Sequence, residues 1–263
     1  MILNKIALKK GSKKLINAWA FYDWANSVYS LVISSAIFPI YYGLIFSEIN
    51  FISFFGYQIK NTAVISFITA FAFVVVAFMS PILSGIADYI GNKKRFMKIF
   101  VYIGSISCLG LYWFELQTIY LGLFFYFFAL IGLWASLVFY NSYLPDIAYP
   151  DQQDIASARG FSYGYIGSVI LLLINLMIIM NPNSFGIEGS SSEASMTAMK
   201  YSFVSVGIWW ALFSQYSFYF LPKSNREVKV TKDIFWNGYK ELKLVYKQLK
   251  NQTKLKRFLP AFF

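Results

Sequence analysis

The chain has 263 residues, of which 58% are hydrophobic and 13% are charged, and its net charge is +11. A soluble domain carries about 25% charged residues, so this composition argues against a large water-soluble protein. The single cysteine and the lack of histidine exclude a disulfide framework and a histidine-based zinc or acid–base site, and no cofactor or metal is expected.

Six long apolar runs follow one another along the sequence. Each has roughly 20 residues or more, which is the length that an α-helix needs to cross a bilayer. Strands of an outer-membrane barrel would be about 10 residues long with alternating polarity, and the runs lack that pattern. The sequence therefore predicts an all-α integral membrane protein with six transmembrane helices near 17–46, 62–87, 96–114, 117–140, 161–180 and 201–221.

The basic residues are distributed unevenly between the two sides of these six runs. Of the 23 lysines and arginines, all except Lys60 and Lys200 fall on one side of the membrane. Short loops rich in lysine and arginine stay in the cytoplasm. We therefore expect both termini to be cytoplasmic, and we expect the basic residues to face anionic lipid rather than nucleic acid.

The first run carries a polar stripe. Four polar residues are spaced so that they share one face of a helix: Asp23, Ser27, Ser30 and Ser34. A carboxylate in hydrocarbon costs about 3 kcal/mol on insertion scales, so Asp23 is expected to face the bundle interior or a water-filled cavity. Two plainer interpretations stay open, because the serines can serve helix packing and Asp23 can reach the inner headgroups.

The polar stretch SGIADYIGNKKR, residues 84–95, lies between the second and third apolar runs. Gly91 supplies the backbone freedom for a tight reversal, and the cations at 93–95 are expected to hold the loop inside. Asp88 lies at the end of the second helix, where the helix dipole disfavours a negative charge. Its carboxylate therefore needs a partner, such as a cation or the N-terminus of another helix.

A second polar stretch, YNSYLPDIAYPDQQDIASARGFSYGYIGS, joins the fourth run to the fifth. Its two prolines are expected to stop the fourth helix, and Arg159 is expected to open the fifth. Gly160, Gly164 and Ser168 recur every four residues, a spacing that lets helices approach closely in lipid. Packing explains these small residues, whereas the guanidinium of Arg159 needs a carboxylate or a lipid phosphate.

The remaining segments divide the chain into two parts. Residues 47–61 and 181–200 are expected to be outer loops, and within 229–257 the composition is basic with apolar residues at helical spacing. This last pattern predicts an amphipathic helix at the inner membrane surface. We assign 1–222 to a six-helix transmembrane bundle, and 223–263 to a cytoplasmic basic linker helix and the start of an incomplete seventh span.

Three stretches together resemble one transporter family. Residues 84–95 are similar to the loop motif of the major facilitator superfamily, Gly-x-x-x-Asp-(Arg/Lys)-x-Gly-(Arg/Lys)-x-(Arg/Lys)-(Arg/Lys), which is matched by Asp88, Gly91, Lys94 and Arg95. Ser84, Tyr89 and Asn92 depart from that motif. The stretches FYDWANS and YNSYLPDIA…ARGFSYGYIGS resemble the vacuole effluxer branch of the superfamily. The matches cover residues 15–222.

The resemblance implies twelve spans in two six-helix halves, with the substrate path between the halves. We expect the chain to be a truncated first half with its linker, and to lack the C-terminal half. Fungal members of the branch are described as exporting amino acids from the vacuole. The resemblance therefore implies a secondary transporter of a small solute, amino acids among them, in a bacterial inner membrane, with protons as the candidate coupling ion.

The hypothesis of a secondary transporter gives roles to single residues. Asp23 would couple protons or bind an amine, and four residues would line the path beside it: Tyr22, Asn26, Tyr29 and Asn141. A cytoplasmic gate would be formed by Asp88, Gly91, Lys94, Arg95, Asp146, Arg159 and Gly160. Two other functions stay open. One is a membrane enzyme acting on lipid, although no nucleophile with a base and no metal-spaced cluster supports it; the other is a fragment that only folds or binds partners.

Overall fold

The computed structural model describes residues 8–90, 92–222 and 243, and the side chains of residues 86–90 lie outside that description. The chain is mainly helical over the described part. Apart from residue 243, the expected linker helix over 229–257 and the start of the seventh span lie outside the described residues.

The first apolar run forms one continuous helical rod, Lys13–Ile45. Its lower part is helix α1 (Lys13–Val28) and its upper part is helix α2 (Phe38–Ile45), and between them nine residues, Tyr29–Ile37, form a π-helix. A π-helix has a wider turn than an α-helix, with hydrogen bonds from residue i to residue i+5. The rod therefore changes its winding near its middle.

The expected outer loop after this rod contains a β-hairpin. Strands β1 (Phe51–Phe54) and β2 (Tyr57–Lys60) pair antiparallel, with Phe54 opposite Tyr57. The two connecting residues, Phe55 and Gly56, have φ values of 49° and 85°. Positive φ at both central residues is what a tight type I′ hairpin turn requires.

The other helices follow with short connections. They are α3 (Asn61–Ile90), α4 (Lys93–Gly110), α5 (Ile119–Ser142), α6 (Leu144–Ile147), α7 (Pro150–Met180) and α8 (Ser191–Phe220). Helix α1 packs along α7 and α8, helix α4 packs along α5 and α8, and helix α3 packs against α5. The buried apolar side chains of these helices form one core, while α3 and α7 expose many large apolar side chains on their outer faces.

Within the described residues, five helical segments are long and apolar enough to cross a membrane. The sixth expected span coincides with α8, which is 30 residues long. Serines, tyrosines and tryptophans interrupt the aliphatic residues of α8, and this helix is not among the five. The chain is therefore a multi-pass membrane protein, and its sixth crossing stays a prediction.

Two of the expected boundaries are wrong. Helix α7 begins at Pro150 rather than near residue 161, and Pro145 and Pro150 both stand in the first turn of a helix. Proline suits that position because its missing N–H would have no partner there. Helix α8 begins at Ser191, inside the expected loop 181–200, because Ser190 and Glu193 form a capping box that starts the helix earlier.

The predicted orientation can be tested by cysteine labelling on the two ends of the bundle. In a variant with the buried Cys108 replaced by alanine, we expect Phe55→Cys, at the hairpin tip, to react with a membrane-impermeant maleimide added outside intact cells. Asp151→Cys should react only after the membrane is opened. The reverse labelling pattern would place the end of the bundle that carries Lys93, Lys94 and Arg95 outside the cell. That result would overturn the predicted orientation.

Candidate functional site

Asp23 lies in α1 at the point where α1 meets α5 and α7. Its carboxylate is half-buried. The hydroxyl of Tyr140 on α5 donates to Oδ2 of Asp23 at 2.8 Å, and the side-chain amide of Asn26 donates to Oδ1 at 3.3 Å. The aspartate predicted to matter for transport therefore has two side-chain donors that hold the carboxylate in place.

Two glycines of α7 allow α1 to come this close. A Cβ atom at Gly160 would collide with Oδ2 of Asp23 and would lie 3.1 Å from the Tyr140 hydroxyl. A Cβ atom at Gly164 would collide with the hydroxyl of Ser27. The small residues of α7 that were predicted to allow close helix packing thus form the surface that contacts the polar stripe of α1. Gly160 lies beside Asp23.

Tyr140 is the site residue that the sequence reasoning missed. Its ring stacks on Trp19, with ring centroids 4.3 Å apart and planes 9° from parallel, and its backbone carbonyl accepts a hydrogen bond from the Trp19 indole at 2.9 Å. This stacking fixes the direction of the Tyr140 hydroxyl toward Asp23. The available signal was its position directly before Asn141, inside a stretch already singled out.

The four residues expected to line a path beside Asp23 have different surroundings. Tyr22 and Tyr29 are fully buried, Asn26 is 4% exposed, and only Asn141 is exposed. The Tyr22 hydroxyl donates to Ser136 at 2.8 Å, and the Asn26 amide donates to the Tyr22 carbonyl at 3.0 Å. These contacts support the position of Asp23 from inside the bundle, and a role in a path stays a prediction.

The exposed part of the polar stripe consists of hydroxyl groups on the π-helical segment. Ser30, Ser34 and Ser35 are exposed, and the Ser35 hydroxyl donates to the Ser30 carbonyl at 2.9 Å. The upper end of the same rod is held separately, because the Tyr41 hydroxyl donates to the Phe114 carbonyl at 2.5 Å. The wide turn therefore lies between two parts of the rod that are anchored to different elements.

The structure describes only some of the residues that were predicted to form a cytoplasmic gate. The side chain of Asp88 and all of Gly91 lie outside the described residues. Lys93 forms an ion pair with Asp146 at 3.0 Å. Lys94 is 6% exposed and donates to the Leu221 carbonyl at the end of α8 at 2.7 Å, whereas Arg95 is exposed. The cations expected in a loop at 93–95 form the first turn of α4 instead, and that turn is tied to α6 and to the end of α8.

Arg159 does not open its helix, since α7 begins nine residues earlier at Pro150. Its guanidinium is half-buried and donates to the side-chain oxygen of Asn17 on α1. The expected carboxylate or phosphate partner is therefore replaced, in the described contacts, by a neutral amide. Arg159 and Gly160 both belong to the α1–α7 interface that holds Asp23.

The difference in burial between Lys94 and Arg95 gives a prediction. Lys94→Met removes the donor to the Leu221 carbonyl, and a buried acceptor left without a partner costs about 1–3 kcal/mol. We expect its thermal unfolding midpoint in detergent to fall by several degrees. Arg95→Met, at an exposed position, should change stability by less than about 0.5 kcal/mol. Equal midpoints for the two variants would contradict this role of Lys94.

Among the described residues, no group of acidic or cysteine side chains could hold a metal ion. The arrangement around Asp23 is instead suited to binding or releasing a positive charge. A carboxylate can be neutralised by a proton or by an ammonium group. When the Asp23 carboxylate is ionised and neither is bound, the hydrogen bonds from Tyr140 and Asn26 stabilise its negative charge.

The chain matches the family model described as "Vacuole effluxer Atg22 like" over residues 11–263. It is 33% identical over 261 residues to the "Uncharacterized MFS-type transporter YxiO" of Bacillus subtilis (strain 168), a match that covers 97% of this chain and 58% of that protein. It is also 26% identical over 174 residues to an "Uncharacterized protein" of Aquifex aeolicus (strain VF5), covering 65% of this chain and 41% of that protein. No solved structure matches the chain.

Proposed function

The chain belongs to the vacuole effluxer Atg22-like family, and on this premise we propose that it takes part in secondary active transport of a small solute by alternating access. The family and the MFS-type relative are transporters by name. The word effluxer in the family description supports export as the direction of transport, and the resemblance to the fungal members makes amino acids the first substrate hypothesis to test. Because the relatives are bacterial, we place the protein in a bacterial inner membrane. The distribution of the basic residues supports a cytoplasmic location of both termini.

The observation that carries this proposal is the position of Asp23. Its half-buried carboxylate lies within a membrane-spanning rod, and an ionisable residue in such a place commonly marks a substrate or proton pathway. Asp23 couples protons or binds an amine. The exposed hydroxyls of Ser30 and Ser34 continue the same stripe along the rod, and they extend the path beyond the predicted residues Tyr22, Asn26, Tyr29 and Asn141.

We further propose that the lysine-rich end of the bundle forms the cytoplasmic gate. The Lys93–Asp146 ion pair, at 3.0 Å, and the Lys94 bond to the Leu221 carbonyl tie three elements together at that end. The gate also includes Asp88, Gly91, Arg95, Arg159 and Gly160. Arg159 and Gly160 lie on α7 next to the Asp23 contacts, so a movement of α1 against α7 at Asp23 would reach the gate.

The chain spans 58% of the length of the Bacillus subtilis relative. Transporters built from two repeats alternate access by moving one repeat against the other. We propose that this chain supplies one such half and works with a second half as its partner.

Transport assays with and without a second half test this proposal. We expect no uptake of radiolabelled amino acids into liposomes that contain this chain alone. A chimaera in which the chain replaces the matching part of the Bacillus subtilis relative should restore uptake. Uptake by the chain alone at the level of the chimaera would contradict the need for a second half, and absence of uptake from both, with both folded, would favour a role in binding partners.

A further inference from the structure

Helices α1, α7 and α8 bring aromatic side chains together along one line of contact. Both α7 and α8 pack on α1. The rings on α1 and α8 recur every three or four residues, so they share one face of each helix. We call the connected group of rings the aromatic seam, and its members are Phe21, Trp24, Tyr163, Trp209, Phe213, Tyr216 and Phe220.

The aromatic seam is partly open on the outer surface of the bundle. The side chain of Tyr216 is 43% exposed, and those of Tyr163 and Phe220 are half-buried. Large apolar side chains next to it are exposed as well, Ile166 on α7 and Leu212 on α8. In a membrane-spanning bundle such a surface faces the bilayer, so a lipid can reach the rings from the side.

The seam covers the depth of one leaflet. Lys14 and Trp24 mark its two ends on α1 and are ten residues apart, which is about 15 Å of helix. The hydrocarbon core of a bilayer is about 30 Å thick. The seam therefore runs from the lysine-rich end of the bundle to about the middle of the membrane, which is the depth that one phospholipid occupies.

Two cations stand at the end of the seam that lies near the membrane surface. The Lys14 ammonium is 4.7 Å from the centre of the Phe220 ring. The Arg159 guanidinium, four residues before Tyr163, donates to Asn17, which is three residues from Lys14 on α1. Neither cation pairs with a carboxylate among the described residues. Positive charge that no acid neutralises therefore collects at this end of the seam.

The polarity of the seam changes with depth. Tyr163 lies one helical turn further into the membrane than Arg159, and Tyr216 lies one turn further in than Phe220. A tyrosine combines an apolar ring with a hydroxyl that donates and accepts hydrogen bonds. The sequence of cations, hydroxyls and carbon rings matches the phosphate, the ester oxygens and the acyl chain of a phospholipid.

We propose that the aromatic seam is a binding site for one anionic phospholipid of the leaflet at the lysine-rich end. Its phosphate pairs with Lys14 and Arg159, and one acyl chain lies along the rings as far as Trp24 and Trp209. A guanidinium binds phosphate through two parallel hydrogen bonds, and the lipid thus supplies the anionic partner that Arg159 lacks among the described residues. The site does not depend on transport or on Asp23, and a failure of either leaves it standing.

Native mass spectrometry of the purified 263-residue chain in detergent tests the proposal. The probes are dioleoyl phosphatidylglycerol, dioleoyl phosphatidylcholine, which has the same chains and no net charge, and glycerol phosphate, which has no chains. We expect phosphatidylglycerol to bind at least about tenfold more tightly than phosphatidylcholine, because two cations contribute, and glycerol phosphate not to bind. Equal binding of the two lipids, or binding of glycerol phosphate as tight as that of phosphatidylglycerol, overturns the proposal.

Variants separate the seam from a general attraction of lipid to positive charge. Lys14→Gln and Arg159→Gln should each weaken phosphatidylglycerol binding about fivefold or more, and glutamine at 159 retains a donor for Asn17. The matched control is Lys98→Gln, because the Lys98 ammonium lies 5.2 Å from the ring of Phe218, outside the seam. Its binding should be unchanged. An equal loss in Lys14→Gln and Lys98→Gln would overturn the assignment.

Photo-crosslinking locates the lipid without any substitution, so it stays informative if a variant unfolds. Phosphatidylglycerol with a diazirine in one acyl chain is irradiated with the wild-type chain, and the modified peptides are identified by mass spectrometry. We expect adducts on α8 between Trp209 and Phe220 and on α7 beside Tyr163, and excess phosphatidylglycerol should displace them where phosphatidylcholine does not. Adducts as frequent on the outer face of α3, or equal displacement by both lipids, would contradict a site at the seam.

Discussion

Asp23→Asn is expected to reduce proton-driven uptake about tenfold or more in the chimaera with a second half. Asparagine has nearly the same size as aspartate, so the side chain can still contact Tyr140 and Asn26. The substitution removes only the negative charge. Hydrogen bonds to a charged group contribute about 1.5–3 kcal/mol, and an amide can neither carry the proton nor pair with an ammonium group. The measurement is the initial rate of uptake of radiolabelled amino acids under an imposed pH gradient.

Exchange experiments with the same variant separate the two proposed roles of Asp23. Exchange of labelled for unlabelled solute at equal concentrations requires no net proton movement. If Asp23 only couples protons, exchange should persist in Asp23→Asn; if it binds the substrate amine, exchange should fall together with uptake. Asp151→Asn, an exposed acid in the first turn of α7, is the control and should transport normally. Wild-type uptake by folded Asp23→Asn would reduce Asp23 to a packing or headgroup-contacting residue.

Gly160→Ala is expected to destabilise the bundle and to impair transport, although alanine normally favours a helix. Its Cβ atom would collide with Oδ2 of Asp23 and crowd the Tyr140 hydroxyl. Inserting a methyl group into a well-packed contact typically costs about 1–3 kcal/mol, which exceeds the roughly 1 kcal/mol gained by replacing glycine in a helix. We expect the unfolding midpoint in detergent to fall by several degrees.

Gly43→Ala is the matched control for this substitution. Gly43 lies in α2, and a Cβ atom built there has no heavy atom within 4 Å. Only the helix-propensity gain then applies, so Gly43→Ala should keep or raise the midpoint. The two variants are thus predicted to shift stability in opposite directions. A Gly160→Ala protein as stable as wild type, with full uptake, would contradict the prediction. It would mean that α1 and α7 can move apart at Asp23 without loss of stability or transport.

The coarse description of the protein was predictable because it depends on local composition. Apolar runs of helical length indicate membrane spans wherever they occur, and the residues that match a family motif can be compared one by one. The class of membrane protein and the family could therefore be predicted from the sequence. Boundaries were less secure, as the early starts of α7 and α8 illustrate, because a proline or a capping box begins a helix irrespective of hydropathy.

The contacts of the candidate site were only partly predictable. Asp23 and the small residues of α7 were each singled out, but their meeting was not, because Asp23 and Gly160 are far apart in the chain. The donor Tyr140 was missed for the same reason, since it is separated from Asp23 by 117 positions. The π-helical segment between α1 and α2 was not predicted, although Pro39, two residues after it, is a residue that disturbs helices.

Composition and short motifs are sufficient to identify this chain as a membrane-spanning member of a transporter family, with a carboxylate within its first apolar run. Solvent preference and motif identity are properties of short segments, so they can be read without knowing the fold. Three contacts become visible only in the folded chain. Asp23 lies against Gly160 and accepts a hydrogen bond from Tyr140. Lys94 is buried while Arg95 is exposed, and Arg159 donates to Asn17. Those outcomes depend on the rotation and depth at which helices pack, and these follow from contacts between segments distant in the chain.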